Sequence, residues 1–436
     1  MYLMHKDKRI IHFDDNFSHV SILDAGLVPF RLKDRLKTID DKYSEKNIYD
    51  TVQNNLSVLT DYFSSRMLTL SRSNAKKIYA FLNISQAAGI YERAKVAVRC
   101  KAVSMSDCYW VRPDDSSLKW DEVNVRNNPL NKVLETIALH GQIPPTLDGY
   151  ARTPDVPNPE ISNYGTSGMA WKREDGETFL YKKNSRYGHE AQIEIAVSRI
   201  LDCFNIPHAK YLPASDSYDN NMCKCKNIAN ENFDMVSAED VKIYCETHNL
   251  DFYDYVMSID SENIAKMCVA DYLLSNSDRH GANWGFYQNA ESGELLCCHP
   301  LMDHNHAFDE AKDDPDGIAG YHEFGNSRRD AALKMLGQSN IKCMAPVQRK
   351  MFLNDNDYHS FMKKAVELGL YREKRLSLSQ KIMTGITGKK YELFEPVEIS
   401  QNDQEEQMDA KDVFKTGDNI EKKSYAAYRK NTVRCS

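Results

Sequence analysis

Residues 275–286 read SNSDRHGANWGF, a polar cluster in the middle of the chain. Asp278, Arg279, His280 and Asn283 crowd together directly after ENIAKMCVADYLLS, an apolar run at helical spacing. Such polar density is either the cap of a turn or a piece of chemistry. An Asp followed five positions later by an Asn is the spacing used by phosphoryl-transfer loops. A short loop lets the carboxylate face a substrate hydroxyl while the amide oxygen faces a metal on the same phosphate. Asp278 is therefore the candidate for orienting the nucleophile, and Asn283 the candidate Mg²⁺ ligand. The His follows the Asp here, whereas kinase loops of the H-R-D type place it before.

This chemistry needs a second metal carboxylate. WGFYQ and ELLCCHP read as two strands around a turn carrying Gly293, so a hairpin should bring Asp303 of PLMD back beside Asn283. Upstream, SNYGTSGMAWK (162–172) is a glycine-bearing turn before the strand ETFLYKK. Gly165, Ser167 and Gly168 would let backbone N–H groups approach phosphates. Lys182 or Lys183 ends that strand within reach of a nucleotide. Lys182 is slightly favoured because it shares strand parity with Leu180. Glu190 or Glu194, at i and i+4 on the next helix, could hold the lysine as an ion pair. Glycine loop, strand lysine, helix glutamate, catalytic loop and metal Asp follow in the order a bilobal kinase requires.

With SGMAWK, LYKK, EAQIEIAVSRILDCFNIPHAKY, NSDRHGANWGF and PLMDHNHAFD in place, the sequence resembles the HipA-like serine/threonine kinases of bacteria. Their Asn-x-Asp-x-His-x-x-Asn motif is matched by Asn276, Asp278, His280 and Asn283. The likeness covers roughly 164–310 well and 1–150 more loosely; Ala170 stands where the family often has Gln. The resemblance implies ATP and Mg²⁺ as cofactors, transfer of the γ-phosphate to a Ser or Thr hydroxyl of a protein, and a role as a growth-regulating toxin with an antitoxin-like partner. It also implies a regulatory autophosphorylation in the glycine loop, for which Ser162, Thr166 and Ser167 are the candidates.

The rest of the sequence frames this reading. The chain of 436 residues is too long for one core, and a net charge of −7 argues against direct nucleic-acid binding. No apolar run reaches membrane-spanning length, and the N-terminus does not read as a signal peptide, so a cytoplasmic protein without membrane association is expected. The 11 cysteines have no framework spacing and read as reduced thiols; Cys223, Cys225, Cys297 and Cys298 read as buried apolar groups, not metal ligands. The expected class is α+β. An N-terminal partner or regulatory domain (1–150) leads to a Pro-rich linker (151–163, within a stretch 142–163 holding five of the 14 prolines). A kinase domain (164–390) follows, with a small lobe to about 255 and a large lobe from about 256, and then a polar tail (391–436).

Several residues carry a plainer reading. His280 and Asn276 read as support for the loop, although His280 could also act on substrate. Arg279 reads equally as a surface ion pair. His304 and His306 read as loop or core groups because Mg²⁺ takes oxygen ligands. The four tryptophans read as packing residues. Two other functions compete: a phosphatidylinositol-type lipid kinase, which carries a similar Asp-Arg-His-x-x-Asn run, and a pseudokinase serving as a nucleotide-binding interaction module.

Overall fold

The computed structural model describes residues 1–39, 42–143, 157–163, 165–184, 190–203, 206–274, 276–307, 323–325 and 328–337. Most of the proline-rich stretch, the end of the expected large lobe and the whole expected tail lie outside the described residues.

The N-terminal segment opens with β1 (Tyr2–His5) and β2 (Lys8–Phe13), a hairpin around Lys6-Asp7. Adding β3 (Val20–Ile22) and β4 (Tyr109–Arg112) gives an antiparallel sheet in the order β3-β2-β1-β4. Five helices pack beside it: α1 (Glu45–Ser65), α2 (Ala75–Phe81), α3 (Ile90–Arg99), α4 (Trp120–Val123) and α5 (Lys132–His140). The Ser44 hydroxyl starts α1 by accepting the N–H of Asn47, satisfying one of the free donors of the first turn. Asn131 caps α5 in the same way, and Gly141, at φ +67°, ends it in the left-handed conformation that glycine adopts at no steric cost. Asn74 precedes α2 but is itself left-handed and does not cap it; its amide donates to the Ala138 carbonyl, joining α2 to α5.

A second antiparallel sheet contains β5 (Met169–Glu174), β6 (Glu177–Lys183), β7 (Tyr211–Ala214) and β8 (Met222–Lys226) in the order β5-β6-β8-β7, with α6 (Glu190–Cys203) between β6 and β7 in sequence. Strand alternation gives this sheet two buried faces. Leu180, Cys223, Cys225 and Tyr211 pack with Ala191 and Ile195 of α6. Ala170, Tyr181 and Met222 join the large apolar core built from β1, β2, α1, α2, α3 and α5. One continuous core thus runs from the N-terminal segment into the second sheet, each buried aliphatic or aromatic side chain contributing about 1.5–3 kcal/mol.

A third sheet, β11-β10-β9, is formed by β9 (Phe233–Ser237), β10 (Gly285–Asn289) and β11 (Leu295–Cys298). The β10–β11 pair is the expected hairpin, with Gly293 at φ +75° in its turn. Around it lie α7 (Ala238–His248), α8 (Phe252–Leu273, kinked at Asp260) and α9 (Arg328–Gly337). The architecture is mixed α and β with small antiparallel sheets. Cys100, Cys108, Cys223, Cys225, Cys245, Cys268, Cys297 and Cys298 are free thiols; Cys223 and Cys225 are buried as expected, whereas Cys297 and Cys298 on the short β11 are only half-buried. Trp110, Trp120 and Trp284 are buried, and Trp171 packs against the Trp110 cluster. Among the described residues no helix is long and apolar enough to cross a membrane.

Candidate active site

Lys182 lies on the face of β6 that turns toward α6, in register with Met169 of β5 and Cys223 of β8. Its ammonium is buried between two carboxylates, 2.7 Å from Glu194 Oε1 and 2.8 Å from Asp303 Oδ1. The opposing faces of a strand explain why Lys182 and not Lys183 meets them. Lys183 points to the other side, one-third exposed, with Nζ 3.8 Å from Asp219. Glu190 is buried in the first turn of α6, and Glu194, one turn on, reaches the lysine. Burial opposes every charge in this trio, but Asp303 and then Glu194 hold the Lys182 ammonium well above its ordinary value. Asp303 is half-buried, and the Lys182 charge outweighs the desolvation it suffers and lowers its carboxyl. In Glu194 burial wins over the pull of Lys182, and its carboxyl is raised.

Glu194 has a second task. Its Oε2 accepts the backbone N–H of His304 at 2.9 Å, fixing the residue after Asp303. Asp303 itself has φ +60°, a left-handed conformation that Asp tolerates better than most residues and that is enriched at functional positions. His304 is buried and its ring is kept neutral, burial and then the Arg279 charge pushing it well below the usual range. It is a core group, in agreement with its sequence reading.

The 276–283 loop is built on α8. Asn276 donates from Nδ2 to Asp271 Oδ1 (2.9 Å) and from its backbone to the Asp271 carbonyl (2.9 Å). Arg279, for which a surface ion pair is an equal reading from sequence, is fully buried. It donates to both Asp271 oxygens (2.9 and 3.0 Å) and, through Nη1, to the carbonyls of Asn283 (3.0 Å) and Met302 (2.6 Å). One guanidinium therefore joins the end of the loop to the residue before Asp303, completing in space what the β10–β11 hairpin begins in the chain. Asp271 and Arg279 are the residues that sequence reasoning missed. Their only signal was an Asp inside an apolar helix, eight residues before an Arg in a polar loop.

Asn283 donates its amide to the Asp278 carbonyl, while its Oδ1 is buried with no hydrogen-bond partner among the described residues. An orphaned buried acceptor costs about 1–3 kcal/mol and calls for a ligand or a role. Asp303 offers a carboxylate oxygen beyond the one that Lys182 takes. An amide oxygen and a carboxylate are donors suited to Mg²⁺, so the residues fit the expected ion. The Asp278 side chain is more than one-third exposed, with His306 Nε2 3.8 Å from its Oδ2. His280 is exposed, and its Nδ1 accepts the Ala282 N–H at 3.2 Å, a contact within the loop.

The glycine loop adjoins Lys182 across the sheet. Gly165 has φ +118°, which only glycine adopts readily. A Cβ on Gly168 would lie 2.8 Å from the Leu139 carbonyl oxygen at the end of α5, and the Gly168 carbonyl accepts the Lys183 N–H (2.9 Å). Ser162 is half-buried, Thr166 exposed and Ser167 buried.

Among the described residues one further group has metal-ligand chemistry: His5, Cys108 and Asp234, with ligand atoms within 4.8 Å of one another. It is satisfied internally. His5 Nε2 is 2.6 Å from Asp234 Oδ2, Asp234 Oδ1 accepts the Cys108 N–H (2.9 Å), and Arg126 donates to the Cys108 sulfur (3.4 Å). Burial holds the Cys108 thiol protonated.

No family model and no curated protein matches the chain. Among the solved structures similar to it are two bacterial proteins. One is HipA of Shewanella oneidensis MR-1, in a toxin–antitoxin complex with HipB and operator DNA: 11% identity, TM-score 0.49, covering 88% of this chain and 95% of that one. The other is the Helicobacter pylori proinflammatory kinase CtkA: 15% identity, TM-score 0.36, covering 51% of this chain and 90% of that one. Likeness at this level does not bear on activity.

Proposed function

We propose that the chain is an ATP- and Mg²⁺-dependent phosphotransferase of the HipA-like type, two-lobed, that transfers the γ-phosphate to a Ser or Thr hydroxyl of a protein, itself included. The observation that carries this reading is the buried Lys182 ammonium shared by Glu194 and Asp303, with Asn283, whose Oδ1 has no partner among the described residues, tied through Arg279 to the residue before Asp303. In this reading Lys182 binds the α- and β-phosphates, oriented by Glu194 from behind. The backbone around Gly165 and Gly168 lines the nucleotide, with Ser167 buried beside it. Asp278 accepts or orients the proton of the attacking hydroxyl, for which its partial exposure leaves access. Asn283 and Asp303 hold the metal, which when bound neutralises charge developing on the phosphoryl oxygens. His280 supports the loop, as its contact with the Ala282 N–H favours. Residues 1–150 would serve as a regulatory or partner-binding region, and an antitoxin-like partner and a growth-regulating role follow from the sequence resemblance.

Radiolabelled ATP, supplied with Mg²⁺ to the full chain and a cell extract, tests the reading. Wild-type protein should label itself or a protein substrate, and Asp278→Ala and Asp303→Ala should each abolish labelling while keeping the native circular dichroism spectrum. Undiminished labelling by both variants would falsify the assignment. Labelling of phosphoinositide vesicles in place of protein would transfer it to a lipid kinase.

A further inference from the structure

The glycine loop is held from outside its own sheet. Arg72, which precedes α2, is buried, and its guanidinium reaches both flanks of the loop. On the entering side Nη1 donates to the carbonyls of Glu160 (2.9 Å) and Asn163 (3.3 Å), and Nη2 to Glu160 Oε2 (3.1 Å). On the leaving side Nη2 donates to the carbonyl of Met169 (2.5 Å), the first residue of β5. Glu160 closes the bracket, its Oε1 accepting the Trp171 N–H at 2.7 Å. The neighbouring backbone follows the same line: the Ser73 N–H donates to the Thr166 carbonyl (2.9 Å) and the Leu68 N–H to the Ile161 carbonyl (2.5 Å).

A loop that relies on Gly165 at φ +118° has little intrinsic preference for one form, so its shape must come from what surrounds it. A buried charge is a costly way to fill space, and an apolar side chain of similar volume would do so more cheaply. What an apolar side chain cannot do is bind four acceptors on two sides of a loop at once; the rigid fork of an arginine can. We propose that Arg72 is a positioning residue: it fixes the glycine loop in its nucleotide-receiving form and makes that part of the site depend on the N-terminal region. The word nucleotide rests on the kinase reading above; the tether itself does not.

Two variants test this in the full chain. Arg72→Lys keeps the charge opposite Glu160 but loses the fork. Arg72→Met/Glu160→Gln removes both charges and leaves none stranded. Hydrogen exchange of the 165–171 amides, read by mass spectrometry, should quicken at least about tenfold in both variants, with β9, β10 and β11 unchanged. Mg-ATP affinity, read by calorimetry, should fall by about tenfold. Unchanged exchange at 165–171 in both variants overturns the proposal, and so does an increase spread evenly over β9–β11, which would mean general destabilisation. Should wild-type protein fail to bind Mg-ATP while exchange at 165–171 still rises on substitution, the tether stands and the kinase reading falls.

Discussion

The Arg279 guanidinium closes on the Asp271 carboxylate through two hydrogen bonds, at 2.9 and 3.0 Å, with both side chains fully buried. The pair stands at the junction of α8, the 276–283 loop and the strand leading to Asp303. Removing one partner would leave the other as an uncompensated buried charge, so Arg279→Met should cost about 3–5 kcal/mol in urea unfolding. Arg279→Met/Asp271→Asn removes both charges and should recover most of that loss. Phosphate transfer should still fall at least about tenfold in the double variant, because the carbonyls of Asn283 and Met302 lose their shared donor and a small misplacement of reacting groups is costly. A double variant with full activity would show that the clamp only stabilises.

The two adjacent lysines should behave very differently. Lys182→Met strands Glu194 and Asp303 together and should reduce ATP-dependent transfer by at least about a hundredfold, with a loss of about 3 kcal/mol in stability. Lys183→Met removes a long, partly exposed contact to Asp219 and should change stability by no more than about 0.5 kcal/mol. Parallel thermal melts and labelling assays decide; equal effects would mean that the facing of β6 has been misassigned.

Gly168 and Gly176 separate two reasons for glycine. At Gly168 a methyl would press on the Leu139 carbonyl oxygen at 2.8 Å, a backbone atom that cannot swing aside. Gly168→Ala should cost about 1–3 kcal/mol and weaken ATP binding by shifting the start of β5. Gly176, in the β5–β6 turn at φ +83°, has open space around it, so Gly176→Ala should cost only the left-handed backbone, about 1 kcal/mol, and leave ATP binding unchanged. Calorimetric titration with ATP alongside melting curves distinguishes the two.

His299 sets an acid limit on stability. Burial, aided by the Arg279 charge, lowers its ring from 6.5 to about 4, and its Nδ1 contacts the Pro300 carbonyl at 2.9 Å. The unfolded chain therefore takes up this proton at a higher pH than the native one, and stability is lost as pH falls from about 6.5 to about 4. The loss should approach about 3 kcal/mol, from 1.36 kcal/mol for each tenfold change in proton affinity. In His299→Gln that part of the pH dependence should vanish, so the gap between variant and wild type in urea midpoint should narrow between pH 7 and pH 4.5. A constant gap would refute the assignment.

Much of the local structure was legible because it is written in short-range periodicity. The strand-like run ETFLYKK and the turn chemistry at Gly293 each describe a few neighbouring residues, and each element forms where its pattern lies. Arg279 shows the opposite case. A polar loop around it suggested solvent, but burial depends on what packs over a residue, and the Met302 carbonyl that Arg279 reaches lies on the far side of the β10–β11 hairpin. The half-burial of Cys297 and Cys298 is a similar failure: an apolar run says that a strand can be covered, not that anything covers it.

The order of the parts is written along the chain: a glycine turn, a strand ending in lysine, a helix with two glutamates, the DRHGAN loop and a hairpin leading to Asp303. Which members meet depends on how the elements pack. Lys182 reaches Glu194 and Asp303 because one face of β6 lies against α6, and Arg279 reaches two carbonyls because the hairpin folds back on α8. Arg72 joins them only because the N-terminal core continues into the second sheet. Strand parity and helix phase are local and can be read along a chain; which faces are pressed together is fixed by the burial of the whole apolar core, and no single segment carries it.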